Sequence, residues 1–271
     1  MYKRQVINGN VCNYNTIKNI LSRHDINIIF HLAAEAIVGE CLKKPIRAFS
    51  SNIQGTWNLL EACRRSQAVT AIIVASSDKA YGSHDHLPYT ETAPLRGRHP
   101  YDVSKSCADL IAHTYHNTYA TPVAITRCGN IYGPGDYNFS RIIPESIRNV
   151  LKGKTLFIRS DGKFIRDYVY IDDIVEGYII LAEKLQKLKL SGEAFNFSDE
   201  NPMSVLALVE KIYKLTRREE KYEILNRAKY EIPRQYLFSG KSRKVLHWHP
   251  KVSLEDGLNR TISWYKKFSN K

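Results

Sequence analysis

Val69-Thr70-Ala71-Ile72-Ile73-Val74-Ala75-Ser76-Ser77-Asp78-Lys79-Ala80-Tyr81-Gly82 opens apolar and β-branched, then turns polar within four residues. The run over 69–75 reads as a buried strand, and Ser76, Ser77 and Asp78 fall at its carboxyl end. In open parallel sheets ligands bind at that edge. Further on, Tyr101-Asp102-Val103-Ser104-Lys105 opens a helix, so Tyr101 and Lys105 lie at i and i+4 on one face. There the ammonium favours the phenolate and lowers the phenol's pKa, making a base for a hydroxyl proton near neutral pH. The spacing alone is weak, because Tyr14 and Lys18 share it and read as a solvated helix face. The strand end gives the second pair its meaning.

Outward from this stretch the alternation continues. Residues 27–32 form a short apolar run that ends in His31-Leu32-Ala33-Ala34-Glu35. A helix over 46–65 places Phe49, Ile53, Trp57 and Leu60 at steps of three and four. The strand of 69–75, a helix over 101–119 and a strand over 122–127 follow, the last running into Cys128-Gly129-Asn130-Ile131-Tyr132-Gly133-Pro134-Gly135. Strand–helix alternation at this spacing predicts right-handed crossovers and a parallel sheet. Beyond Gly135 the elements shorten: helices over 141–152, 171–189, 204–215 and 254–268, and strands near 155–158 and 194–197. No Pro/Gly/Ser linker separates the halves. The expected organisation is a domain over 1–135 and a lobe over 136–271, with 166–190 packing back on the sheet.

Composition narrows the function classes. A chain of 271 residues with 43% apolar and 11% aromatic residues is an ordinary globular protein with a sizeable core. No stretch approaches a membrane span, and Met1-Tyr2-Lys3-Arg4 begins no signal-peptide apolar core. The five cysteines are odd in number and form no Cys-x-x-Cys pair, which suits a reducing cytoplasm and speaks against zinc. The net charge of +13 is dispersed or C-terminal, with no aromatic-interleaved basic motif. It reads as a basic surface around a site for an anionic small molecule and not as a nucleic-acid footprint.

Taken in order, these segments resemble the extended short-chain dehydrogenases/reductases, in the branch of NAD-dependent nucleotide-sugar epimerases and dehydratases. The similar stretches are Asn8-Gly9-Asn10-Val11 at the end of a strand, His31-Leu32-Ala33-Ala34, Asn52-Ile53-Gln54-Gly55-Thr56, residues 76–82, 101–105 and 127–134, Arg166-Asp167-Tyr168, and Leu246-His247-Trp248-His249-Pro250. Within the branch, Ser77-Asp78-Lys79 resembles the CDP-glucose 4,6-dehydratases, which carry lysine where the dTDP-glucose and GDP-mannose enzymes carry glutamate. Residues 101–106 and Glu231-Ile232-Pro233 are similar to the same subgroup. The resemblance implies an α/β fold: an incomplete Rossmann-type doubly wound parallel sheet with a smaller C-terminal α/β substrate lobe. The family opens on a Gly-x-x-Gly-x-x-Gly turn whose amides cradle the dinucleotide pyrophosphate, and this sequence contains none. The expectation is therefore an N-terminally truncated chain without the glycine-rich first unit and with an exposed sheet edge. A relative that has lost its cofactor is the alternative.

Residue by residue, the resemblance implies that Tyr101 takes the proton of the sugar 4-hydroxyl. Lys105 depresses the tyrosine's pKa and binds the nicotinamide ribose, and Ser77 hydrogen-bonds the same 4-oxygen. Asp78 gives a proton to the departing 6-hydroxyl, and the product is a 4-keto-6-deoxy sugar. Lys79 stands where the C5 base would be, and its reading stays open between a neutral base, an electrostatic partner, and a structural ion pair with Asp78 or Glu35. Asn10, Val11, Leu32, Ala33, Ala34 and Asn52 match cofactor-lining positions. Asn130 and Arg166 match contacts to the nucleotide-sugar diphosphate, and Arg141 and Arg234 are weaker candidates for the nucleotide. A 4-epimerase would need Tyr101 but not the Asp78–Lys79 pair, and a non-catalytic relative is a further alternative. The family also implies a homodimer through helices 46–66 and 101–119. His31 has no ligand partner at useful spacing and reads as structural.

Overall fold

Asn13 starts the first helix: its carboxamide accepts from the Thr16 amide at 3.2 Å and caps Tyr14–Arg23 (α1). The computed structural model describes residues 5–269. Residues 8–11, expected to end a strand, form none. Asn10 instead makes a turn, accepting from Cys12 N on its side chain and from Asn13 N on its carbonyl, both at 2.9 Å. Next come Ile28–His31 (β1), Val38–Lys43 (α2) and Pro45–Phe49 (α3). A wide π turn over Ser50–Gln54 leads into Gly55–Arg64 (α4), so the expected single helix over 46–65 is interrupted. Ala71–Ala75 (β2), a 3₁₀ turn at Asp78–Tyr81, Pro100–Tyr119 (α5) and Val123–Cys128 (β3) follow. The rest of the chain runs Asn130–Tyr132 (β4), Ile142–Leu151 (α6), Leu156–Ile158 (β5), Ile165–Arg166 (β6), Tyr168–Tyr170 (β7) and Ile171–Lys184 (α7). It ends with Ala194–Phe197 (β8), Met203–Ser204 (β9), Val205–Thr216 (α8), Tyr222–Ile224 (β10), Arg234–Gln235 (β11) and Leu254–Ser269 (α9).

The chain divides into two compact units. One comprises the residues up to Ser76 with 96–126 and 181–194; the other comprises 77–95, 127–180 and the residues from Phe195 onward. In the first unit β1, β2 and β3 pair in parallel, with Ile29 opposite Ile72 and Ile73 opposite Ala124. The sheet order is β1-β2-β3-β8, which leaves β1 at one end with Ile28 and Phe30 exposed. β2 is a continuous apolar run buried on both faces, as a helix-covered parallel sheet requires, and β3 is buried throughout, apolar over 123–125 before Thr126 and Arg127. Ile72, Val74, Val123 and Ile125 pack with Ile17 of α1, Leu59 and Leu60 of α4, and Ala112 of α5.

The second unit is built from short pairs. β4 runs parallel to β7 and β5 to β10, while β6 lies between β11 and β9. Its core gathers Tyr132, Ile143, Ile147, Leu156, Leu208, Ile212, Leu258 and Tyr265. Trp248, 1% exposed, packs edge-on against Phe197 and donates from Nε1 to the Asp173 carbonyl at 2.8 Å. The Asp173 carboxylate accepts from Lys251 N and Val252 N, so the His247–Pro250 motif clamps the first turn of α7. Among the described residues no helix is long and apolar enough to cross a membrane.

Candidate active site

In the first unit, Pro100 occupies the first position of α5, where its missing N–H costs nothing. A Cβ on Gly97 would stand 2.6–2.7 Å from backbone atoms of Asp102 and Val103, so only glycine lets the preceding loop lie against this turn. Tyr101 is half-buried on that turn. One helical turn on, buried Lys105 donates from Nζ to the Ala75 carbonyl at 2.7 Å, at the end of β2. Ser104 donates to the Tyr101 carbonyl at 2.7 Å and accepts from Asn52 Nδ2 at 2.8 Å. Asn52 also accepts from the Glu35 amide at 2.7 Å and donates to the Glu35 carbonyl at 3.0 Å. The π turn thus offers a buried carboxamide that ties the segment after β1 to α5. The Glu35 carboxylate is engaged by Arg47 at 2.8 Å.

Leu32 and Ala33 are exposed, Leu32 at 63%, with Ala34 half-buried beside them, immediately after β1. His31, at the strand's end, hydrogen-bonds Thr56 Oγ1 at 3.0 Å and is held down to about 4 by burial and then by the Lys105 charge, so it is a neutral core residue. Val11 packs against α4, where Gly55 leaves room for its methyls, while Asn10 is exposed.

The second unit begins where the polar run begins. Ser77 caps the 3₁₀ turn, accepting from Lys79 N at 3.2 Å, and donates to Asp78 Oδ1 at 3.1 Å. The turn is fixed by buried aromatics. Tyr81 stacks on Tyr89, donates to Asn196 Oδ1 at 2.8 Å, and receives Arg127 Nη1 at 2.9 Å. Gly82 has φ 71°, the left-handed conformation that ends the turn. Burial pushes the Asp78 carboxyl above its ordinary range, opposed by the charge of Lys79, the Ser77 hydrogen bond and the charge of Arg166. Burial thus moves this carboxyl toward holding its proton, the direction a proton donor requires. Lys79 donates from Nζ to Gln235 Oε1 at 3.1 Å.

Arg166 is 6% exposed, with Nη1 on the Ile165 and Pro233 carbonyls and Nη2 facing the Glu231 carboxylate at 3.6 Å. Neighbouring Asp167 is buried with Oδ1 unpartnered among the described residues, and burial lifts it to about 7. Asn130 donates twice to the Asp167 carbonyl. Arg141 is exposed on Asp136 and the Ile131 carbonyl, and Arg234 is exposed on β11. Ser77, Asp78, Lys79 and Arg166 therefore belong to one interacting group, and Tyr101, Lys105 and Asn52 belong to the α5 frame. Gln235 and Asp167 had no place in the sequence reading. Asp167 lay inside a quoted motif without a role, and Gln235 carries no local signal at all.

A family model described as GDP-mannose 4,6 dehydratase matches residues 2–261. The UDP-glucuronate 4-epimerase of Thermodesulfobacterium geofontis is 31% identical over 95% of this chain and 78% of its own length. The CDP-glucose 4,6-dehydratase of Salmonella typhimurium is 29% identical over 95% and 76%. A dTDP-glucose 4,6-dehydratase of Streptomyces venezuelae, solved with NAD bound, superimposes with a TM-score of 0.90 at 30% identity, over 97% of this chain and 79% of its own. The UDP-glucose 4-epimerase of Thermotoga maritima, solved with UDP-glucose, gives 0.89 at 28% identity over 96% and 84%.

Proposed function

We propose a reaction for this chain, which belongs to the GDP-mannose 4,6 dehydratase family of NAD-dependent nucleotide-sugar dehydratases and epimerases: it removes water across C5 and C6 of a nucleoside-diphosphate hexose, CDP-glucose for preference, to give a 4-keto-6-deoxy sugar. The observation that carries this reading is Asp78, a buried carboxyl hydrogen-bonded to Ser77, which burial shifts toward keeping its proton. Dehydration needs a proton donor for the leaving hydroxyl, and a 4-epimerase has no leaving group to protonate. The Ser77-Asp78-Lys79 triplet and the likeness to the Salmonella enzyme favour CDP-glucose within the family. The competing reading is a nucleotide-sugar 4-epimerase, supported by the likeness to the Thermodesulfobacterium and Thermotoga enzymes.

NAD fits the first unit on two observations. Leu32, Ala33 and Ala34 present a low apolar ledge at a parallel strand's carboxyl end, and Ser76 Oγ is buried without a partner among the described residues. Leu32–Ala34, Tyr101 and Lys105 would hold its nicotinamide end, with Asn52 bracing α5 and Asn10 and Val11 toward the adenine. When bound, NAD supplies the hydride acceptor and donor of the reaction. Tyr101 takes the 4-hydroxyl proton, helped by the positive charge of Lys105 one turn along. Ser77 has a single proton to give, to Asp78 or to the 4-oxygen, and so orients that oxygen. Asp78 passes its proton to the departing 6-oxygen, and Lys79, as the free amine, takes the C5 proton, so that water leaves and the C5–C6 double bond forms. Arg166, with its charge turned toward Glu231, binds the diphosphate through a fork of donors suited to it, flanked by Asn130, Arg141 and Arg234.

The protein acts in the cytoplasm, consistent with five free thiols, as a homodimer through helices 46–66 and 101–119, where Ile46 is 80% and Leu110 56% exposed. The test is product identity. The protein, supplied with NAD and CDP-glucose, should form a 4-keto-6-deoxy product, detected by its absorbance in alkali. Formation of a C4 epimer in its place would establish the second reading.

A further inference from the structure

Gln235 is completely buried on β11, opposite Arg166 of β6 in the strand register. Its Oε1 accepts from Lys79 Nζ at 3.1 Å. A lysine ammonium can only donate, so chemistry fixes which end of the amide faces it. The amide nitrogen is thereby turned away from Lys79, and it is buried with no hydrogen-bond partner among the described residues. Leaving a buried donor without an acceptor is unfavourable, and a bound oxygen would satisfy it. The same corner contains Asp78, a buried carboxyl on which the charges of Lys79 and Arg166 act. Gln235, as a hydrogen-bond partner of Lys79, is itself uncharged. A carboxylate in that place would hold the lysine as its ammonium, whereas an amide orients it without adding charge.

We propose that Gln235 is a positioning residue: its carbonyl aims Lys79 and its buried amide N–H receives an oxygen of the bound nucleotide sugar, so that substrate binding and the set of the lysine are coupled. The proposal rests on the reading of Lys79 as a participant in the dehydration. It assigns to one two-residue strand the task of presenting a proton-handling lysine to the sugar with its charge state left adjustable.

Gln235→Glu keeps the side chain's size and places a carboxylate on Lys79. An opposite charge at this distance raises a lysine's pKa by roughly 1–3. The titration midpoint of Lys79, followed by pH-dependent reductive methylation and mass spectrometry of the folded protein, should rise by at least about one pH unit, within that range. The pH midpoint of kcat that Lys79 sets should move with it. Gln235→Leu should lower kcat and raise KM for the nucleotide sugar by roughly tenfold each, the size of one lost hydrogen bond. Should the leucine variant not fold, the glutamate variant decides alone. An unmoved Lys79 midpoint in Gln235→Glu overturns the proposal. A raised midpoint in an enzyme that makes only C4 epimers supports the positioning of Lys79 and removes the dehydratase reading, because the methylation readout does not depend on turnover.

Discussion

Two buried polar clusters in this protein are built on opposite principles. Around Asn52, the carboxamide makes three hydrogen bonds, to both backbone groups of Glu35 and to Ser104, and the adjoining histidine is neutral and paired with Thr56. Around Asp78, buried carboxyls are pushed toward protonation, and Asp167 Oδ1 and Gln235 Nε2 have no partner among the described residues. A saturated network specifies geometry, while an unsaturated one leaves donors and acceptors for something that binds. The difference teaches that the α5 frame is fixed by its own hydrogen bonds, while the corner after β2, to which we assign the proton chemistry, keeps polar atoms unused.

The largest effect should come from the reactive cluster. Asp78→Asn keeps the shape and removes the acid, and should slow product formation by roughly 10²–10⁴-fold with little change in nucleotide-sugar binding. Steady-state rates beside calorimetric binding would check both halves. An unaltered rate would break the contrast, because Asp78 would then be as structural as Asn52.

The two clusters should also respond to pH with opposite sign. Asp167 titrates near 7 folded against 3.8 unfolded, so the folded state binds the extra proton between those values. Stability from that group is present below pH 3.8 and is lost as pH rises through 7. His31 titrates near 4 folded against 6.5 unfolded, so its contribution is present above 6.5 and is lost as pH falls toward 4. Relative to the unsubstituted chain, Asp167→Asn should become more stable as pH rises from 4 to 8, by as much as about 4 kcal/mol. His31→Asn should lose its relative penalty as pH falls through the same range, by about 3 kcal/mol. Urea unfolding at several pH values measures both, and parallel trends would contradict the assignment.

Removing the keystone of the saturated cluster should cost stability but no chemistry of its own. Asn52→Ala strands the Glu35 backbone groups and should destabilise by about 3 kcal/mol, read from denaturant midpoints. The smallest effect belongs to the outer face of the first unit. On the proposed homodimer, Ile46→Glu, at an 80% exposed position, should yield monomer in sedimentation without changing the fold. An unaffected dimer would place the interface elsewhere.

How much of this was legible follows from element length and contact range. The apolar strands β2 and β3 and the helix α5 were readable because each has a full period of its own. The helix around Asn52 was readable in phase, but its π turn was not, since one extra residue leaves no compositional mark. Residues 8–11 were misread as a strand's end because Asn-Gly-Asn also makes a turn, and here the Asn10 side chain won. Strands of two or three residues, such as β6, β9 and β11, have no periodicity to detect. Gln235 was invisible for that reason and because it meets Lys79 across 156 positions of sequence. Ser76, Ser77 and Asp78 were readable by their place at a strand's end, and Lys79 only through the family resemblance of the Ser77-Asp78-Lys79 triplet. That Asp78 would be buried, with its carboxyl shifted toward protonation, was not.

Solvent labelling tests most directly whether Asp78 serves a dehydration. Loss of water across C5 and C6 takes the C5 hydrogen as a proton, and solvent replaces it when the sugar is reduced at C6. C4 epimerisation exchanges no carbon-bound hydrogen with water. In D₂O, with NAD and CDP-glucose, mass spectrometry should find a product that has lost water and carries one deuterium at C5, formed far more slowly by Asp78→Asn. An isomer of unchanged carbon-bound mass, inverted at C4 and formed equally fast by the variant, would contradict the account.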